Sequence, residues 1–166
     1  MPSADAFADV LTANQAYAAG FRLAGLAPRA ARGLAILTCM DSRIEPLAML
    51  GLAPGDAKIL RNAGGRVTDD VLRTLVAARY LLGVERVMVI AHTRCRMTAA
   101  SDEELQRAIR EAGGPDTSGL AFNTTPDVEA GVTADLARLR GHGWLADLVA
   151  GGFVYDVDTG LLRRVA

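Results

Sequence analysis

Two cysteines and one of the two histidines follow directly on apolar runs. Leu34-Ala35-Ile36-Leu37 leads into Thr38-Cys39-Met40-Asp41-Ser42-Arg43, and Val87-Met88-Val89-Ile90-Ala91 leads into His92-Thr93-Arg94-Cys95. Thiolate sulfur and imidazole nitrogen are the ligands zinc prefers in a four-coordinate arrangement. His92 and Cys95 form a close pair on one short turn, and Cys39 comes from a neighbouring strand end. Three protein ligands leave the fourth position to water, as a catalytic zinc requires. Taken singly, Cys39 or Cys95 reads as a small core residue. That reading fails because both fall at strand ends together with a histidine at ligand spacing.

Asp41 follows Cys39 by two residues, and on an extended backbone positions i and i+2 face the same way. Asp41 can therefore reach the metal region. Arg43 continues the alternation and can hold Asp41 in a fork-to-carboxylate pair. Two fates of Asp41 stay open. Paired with Arg43, it leaves the metal a free position; bound to zinc, it closes the site. Two thiolates already neutralise Zn²⁺, so a bound water is less acidic than on a three-histidine zinc, where its pKa is about 7. The expectation is an active state favoured at alkaline pH.

The elements that must position these groups are legible from periodicity. Leu34 to Leu37, Lys58 to Arg61 and Arg86 to Ala91 read as strands. The first is continuously apolar, as a strand covered on both faces should be. Pro46 to Leu50 reads as a short helix ended by Gly51. Asn62-Ala63-Gly64-Gly65 closes the second strand. Thr68 caps a helix that Gly83 stops, with Asp69 and Asp70 at its positive end. Strand, helix, strand at this spacing is a right-handed crossover between parallel strands. The ends of such strands share one edge of the sheet, where ligands bind. Ser101 to Glu104 has capping-box spacing for a helix to Ala112. Gly113 to Pro126 is a loop rich in Gly, Pro, Ser and Thr, and Asp127 to Arg140 is a further helix. Gly152 to Val157 and Leu161 to Val165 form a hairpin around Asp158-Thr159-Gly160. At the other end, Ser3 can cap an amphipathic helix to Ala24, with Phe7, Val10, Leu11, Tyr17 and Phe21 apolar. That helix must pack on its own sheet or on a second subunit.

The fold class is thus α/β: a mainly parallel sheet flanked by helices, with an N-terminal helix and a C-terminal hairpin. At 166 residues the chain reads as one domain, residues 1–166. It is 51% hydrophobic and 22% charged with a net charge of −1, which gives no electrostatic footprint for nucleic acid or an anionic membrane. No apolar run approaches a membrane span. Asp5 and Asp9 break the pattern of a signal peptide, so the expected location is cytoplasmic. There the two cysteines are free thiols or metal ligands rather than a disulfide.

Cys39-x-Asp41-x-Arg43, then Arg61-Asn62-Ala63-Gly64, then His92-x2-Cys95, in this order and spacing, resembles the β-class carbonic anhydrases, and the short length resembles their compact bacterial branch. The resemblance covers nearly the whole chain. It implies that Cys39, His92 and Cys95 bind zinc, that Asp41 and Arg43 form the catalytic dyad beside it, and that Asp41 joins the metal in a closed state. It implies reversible hydration of carbon dioxide to bicarbonate, and a homodimer or dimer of dimers with the site near the subunit interface.

The chain departs from the family pattern at two positions. Arg96 stands where glycine is usual, and Arg94 where a small or acidic residue is commoner. Either the arginine disturbs close backbone packing that a glycine would serve, or the two cations retain bicarbonate and acidify the bound water. Competing functions are hydrolysis of carbonyl sulfide or carbon disulfide on the same scaffold, and a non-catalytic zinc-stabilised protein that binds bicarbonate or a partner. A redox role for the cysteines lacks Cys-x-x-Cys spacing.

Overall fold

The structure, a computed structural model, describes residues 6–166. Five strands, β1 (Leu34–Cys39), β2 (Ala57–Asn62), β3 (Arg86–His92), β4 (Val149–Tyr155) and β5 (Leu162–Arg164), form one sheet in the order β2-β1-β3-β4-β5. β1 runs parallel to β2 and β3, and β3 parallel to β4. β5 folds back antiparallel on β4, with Phe153 opposite Arg164. The mainly parallel sheet and the C-terminal hairpin are those expected. β1 and β3 extend further than their apolar runs, so Cys39 and His92 are the last residues of their strands. β4 is shifted toward the N-terminus and ends at Tyr155 rather than Val157.

β1 is buried at all six positions, which is why its sequence does not alternate. Ala35 and Leu37 face one side with Val87 and Val89 of β3. There they meet Leu75 of α2 (Asp69–Leu81) and Leu136 of α4 (Val128–Arg140). Leu34, Ile36 and Ile90 face the other side, against Met49, Leu50 and Phe153. On that second side the chain forms a 3-10 turn, Ala48–Leu50, where a short helix was expected. It ends at Gly51 in the left-handed region, φ 63°.

This unequal covering creates the site. The segment after β1 carries Met49 and Leu50 to the second face, whereas α2 and α4, which follow β2 and β3, lie on the first. Chain leaving the adjacent strands β1 and β3 therefore diverges, and a crevice opens at their carboxyl ends.

The helix caps follow the side-chain chemistry. The Thr68 hydroxyl accepts from the Val71 N–H. Ser101 and Glu104 form a reciprocal capping box at the start of α3 (Asp102–Glu111). Asp127 accepts from the N–H groups of Glu129 and Ala130, so α4 begins at Val128. The loop between α3 and α4 is tied down: Asp102 accepts from the N–H of Phe122 and from the N–H and hydroxyl of Thr124.

α1 (Ala8–Ala19) stops at Gly20, short of the expected Ala24, and the Ser3 cap lies outside the described residues. None of its residues is buried. Phe7, Leu11 and Tyr17 are 69%, 60% and 58% exposed. Of the two destinations open to this helix, the chain's own sheet is not the one taken. No described helix is long and apolar enough to cross a membrane.

Candidate metal centre

Cys39, His92 and Cys95 converge in the crevice. One ligand atom from each lies within 4.8 Å of the others, and all three residues are buried. Both cysteines are free thiols, with their sulfurs 3.9 Å apart. The Cys39 thiol is held below the usual range, first by its hydrogen bond with Cys95 and against burial, with help from His92 and the Gly64 N–H. The same bond and burial push the Cys95 thiol upward. Two buried sulfurs in contact are a poor arrangement for a core and a good one for a cation, which lets both ionise.

His92 supplies the third ligand atom. Its Nδ1 lies 2.9 Å from the Thr93 carbonyl, which makes Nδ1 the donor and leaves Nε2 with its lone pair. That Nε2 is buried and has no hydrogen-bond partner among the described residues. A buried imidazole nitrogen left unpaired costs desolvation energy, and a metal ion beside the two sulfurs would satisfy it. The donor set of two sulfurs and one nitrogen suits zinc.

Asp41 lies at the rim. Its carboxylate accepts from Arg43 Nε at 2.9 Å and Nη2 at 2.7 Å, and from the Arg43 backbone N–H at 3.0 Å. Arg43, first through its side chain and then through its N–H, holds the Asp41 carboxyl well below the usual carboxylate range. Asp41 Oδ2 stands 3.9 Å from His92 Nε2. Of its two fates, the structure has the Arg43-paired one. Arg43 also donates to the Arg94 carbonyl at 3.3 Å, joining the two strand-end loops.

Three further residues support the site: Arg61 and Gly64, which the sequence shows only as part of the motif, and Asp135, which it does not single out. Arg61 donates from Nε to the Cys39 carbonyl at 2.9 Å and from Nη2 to the Asp41 carbonyl at 2.6 Å. Gly64 donates its N–H to Cys39 Sγ at 3.3 Å. Asp135, 5% exposed, pairs with Arg66. The signal for Asp135 was its place on the apolar stripe of α4, among Val132, Leu136 and Leu139.

Arg94 and Arg96 leave the site undisturbed. Arg94 takes the left-handed conformation of the turn, φ 53°, and its guanidinium turns away to Asp158. Arg96 is exposed, and its backbone is outside the left-handed region that favours glycine. Close packing is needed instead in the turn after β2, at Gly65, where a Cβ would come within 2.9 Å of the Thr38 backbone.

Comparison with known proteins gives consistent results. A carbonic anhydrase family model matches residues 34–162. Beta-carbonic anhydrase 1 of Mycobacterium tuberculosis is 36% identical over 160 residues, 95% of this chain and 96% of that protein. The crystal structure of a carbonic anhydrase from Streptococcus mutans superposes with a TM-score of 0.90 at 40% identity, covering 96% of this chain and 97% of that one. A carbon disulfide hydrolase of Saccharolobus solfataricus is 42% identical over 157 residues, 80% of this chain and 77% of that protein.

Proposed function

The chain belongs to the β-carbonic anhydrase family, and from that premise we propose that it is a zinc carbonic anhydrase of the cytoplasm that interconverts carbon dioxide and bicarbonate. The observation that carries the reading is the unpaired, buried His92 Nε2 facing two free thiols beside a carboxylate clamped by arginine. Cys39, His92 and Cys95 would hold the zinc. Zinc there supplies Lewis acidity and an acidified water.

The chain's own residues do the rest. Thr93 fixes the His92 tautomer, so that Nε2 rather than Nδ1 faces the sulfurs. Asp41, ionised and acceptor-only, takes one hydrogen bond from the reacting water, which turns an oxygen lone pair toward the carbon of carbon dioxide. Arg43 occupies both carboxylate oxygens from the far side and keeps Asp41 from becoming a ligand. Water and carbon dioxide yield bicarbonate and one proton. His142, the only other histidine, lies outside this constellation, so the proton leaves through water or buffer.

We further propose a single domain that works as a homodimer or dimer of dimers. α1, which buries nothing on its own chain, supports a second copy as the partner. No nucleic-acid partner fits a net charge of −1.

Stopped-flow carbon dioxide hydration at neutral and alkaline pH, with zinc measured on the same sample, tests the reading. The expected result is one zinc per chain and a rate that climbs toward alkaline pH, because two thiolates make the bound water less acidic. A zinc-loaded protein with no hydration at any pH would overturn it. The 42% identity to a carbon disulfide hydrolase favours one second reading. Release of sulfide from carbon disulfide by that same sample would establish it.

A further inference from the structure

Asp135 is a carboxylate in the middle of α4, on the face that packs against the sheet. Its Oδ2 accepts from Arg66 Nε at 2.7 Å, and its Oδ1 accepts from Arg66 Nη2 at 3.3 Å and from the Val67 N–H at 3.1 Å. Arg66 also donates to the Asn123 carbonyl at 2.6 Å. Such a pair is weak support for stability, since well-packed apolar residues of similar volume do as well or better. Its place relative to the metal centre points to another role.

Arg66 is the last residue of a turn that begins at Asn62. The Asn62 side chain spans the turn, accepting from the Arg66 N–H and donating to the Arg66 carbonyl, each at 2.8 Å. Gly64 and Gly65 lie between, both in the left-handed region. Gly65 is seated on the backbone of Thr38 and Cys39 without room for a Cβ. Gly64 aims its N–H at Cys39 Sγ. The turn is therefore closed from within by Asn62 and held from outside by Asp135, and its product is one N–H···S hydrogen bond.

We propose that Asp135 and Arg66 are positioning residues for the metal centre, clamping the 62–66 turn so that Gly64 donates to the Cys39 sulfur. This rests on the reading of Cys39 as a zinc ligand. A hydrogen bond donated to a ligating thiolate draws charge from sulfur and orients its lone pairs. In a site with two thiolates this restores Lewis acidity that the second sulfur removes.

The test uses the full chain carrying Arg66→Met and Asp135→Leu together. The double change removes both charges and sets apolar side chains beside the apolar stripe of α4, as buried ion pairs are often replaced without loss of the fold; Asp135→Asn, which keeps the aspartate volume, is the second variant. In zinc-free protein the Gly64 amide should exchange faster, while amides of β1 keep their protection. In cobalt-loaded protein the thiolate-to-cobalt absorption should move to lower energy, and zinc affinity should fall about 10- to 100-fold. A merely structural pair would lower the melting temperature and move none of these. A folded double variant with the parent's Gly64 protection and cobalt spectrum overturns the proposal. Cys39→Ala in the parent separates the two failures. If it keeps its zinc, the ligand reading falls and the proposal with it. If it loses zinc while the double variant behaves as the parent, the proposal alone falls.

Discussion

Cys39 is held on several sides: Gly64 at its sulfur, Arg61 at its carbonyl, Gly65 against its backbone. Its replacement by alanine should leave the strand in register and remove a ligand. Zinc content of Cys39→Ala, measured after dialysis, should fall close to zero, and the melting temperature should lose the part that bound metal supplies. Full zinc in that variant would overturn the ligand assignment. Asp41 makes the opposite prediction. Asparagine keeps the shape but cannot accept on both oxygens from the Arg43 fork. Asp41→Asn should keep one zinc per chain and lose turnover by about 10- to 100-fold, the usual cost of losing an orienting group beside a metal ligand. An unchanged rate would remove Asp41 from the chemistry. Arg94 and Arg96, the two departures from the family pattern, face solvent or Asp158. Arg96→Gly should accordingly leave zinc content and turnover close to the parent's, and a large rise in rate would revive the packing objection.

Among the elements, the strands that bear the ligands were readable because buried parallel strands are continuously apolar, and the runs ending at Leu37 and Ala91 have no rival interpretation. The exact ends were not readable. Cys39 and His92 complete their strands through ladder bonds that depend on β2 and β4, which local sequence does not report. The Arg66–Asp135 pair joins residues 69 positions apart, and only tertiary packing brings them together. The α3–α4 loop read as plain coil because its anchor, Asp102, also belongs to the first turn of a capped helix and was explained by that alone. Asp102 is held below its ordinary value, first by the Thr124 hydroxyl, then by backbone N–H groups of the loop. A carboxyl lowered on folding contributes stability above its unfolded pKa, about 3.9. That contribution is lost as the pH falls through the lower folded value. Amides of Phe122 and Thr124, corrected for intrinsic exchange, should therefore stay protected at neutral pH and open in acid. Asp102→Asn should open them at neutral pH. Equal protection in the variant would mean that other contacts hold the loop.

At the scale of the whole molecule, α1 and the second face of the sheet are unfinished in the same way. α1 carries Val10, Leu11 and Tyr17, and the residues flanking it include Phe7 and Phe21, all about half exposed or more. The second face of the sheet carries a groove of about 390 Å³, lined by Leu34, Leu50, Leu52, Met88 and Phe153, with arginines at its rim. Apolar helix and apolar groove on one chain, neither satisfying the other, are what an isologous pair of subunits would satisfy, each helix lying on its partner. The sequence left two destinations for α1, because periodicity reports that a helix has an apolar stripe and not where the stripe goes. Removing residues 1–20 is the direct test. Since none of α1 is buried against this chain, the shortened protein should keep its sheet by circular dichroism and its zinc. Sedimentation velocity should then report a shift from dimer toward monomer. Leu11→Glu should act in the same direction, because a carboxylate in an apolar contact must be desolvated without a partner. If both variants sediment as the parent does, the subunits meet elsewhere and α1 is not what joins them.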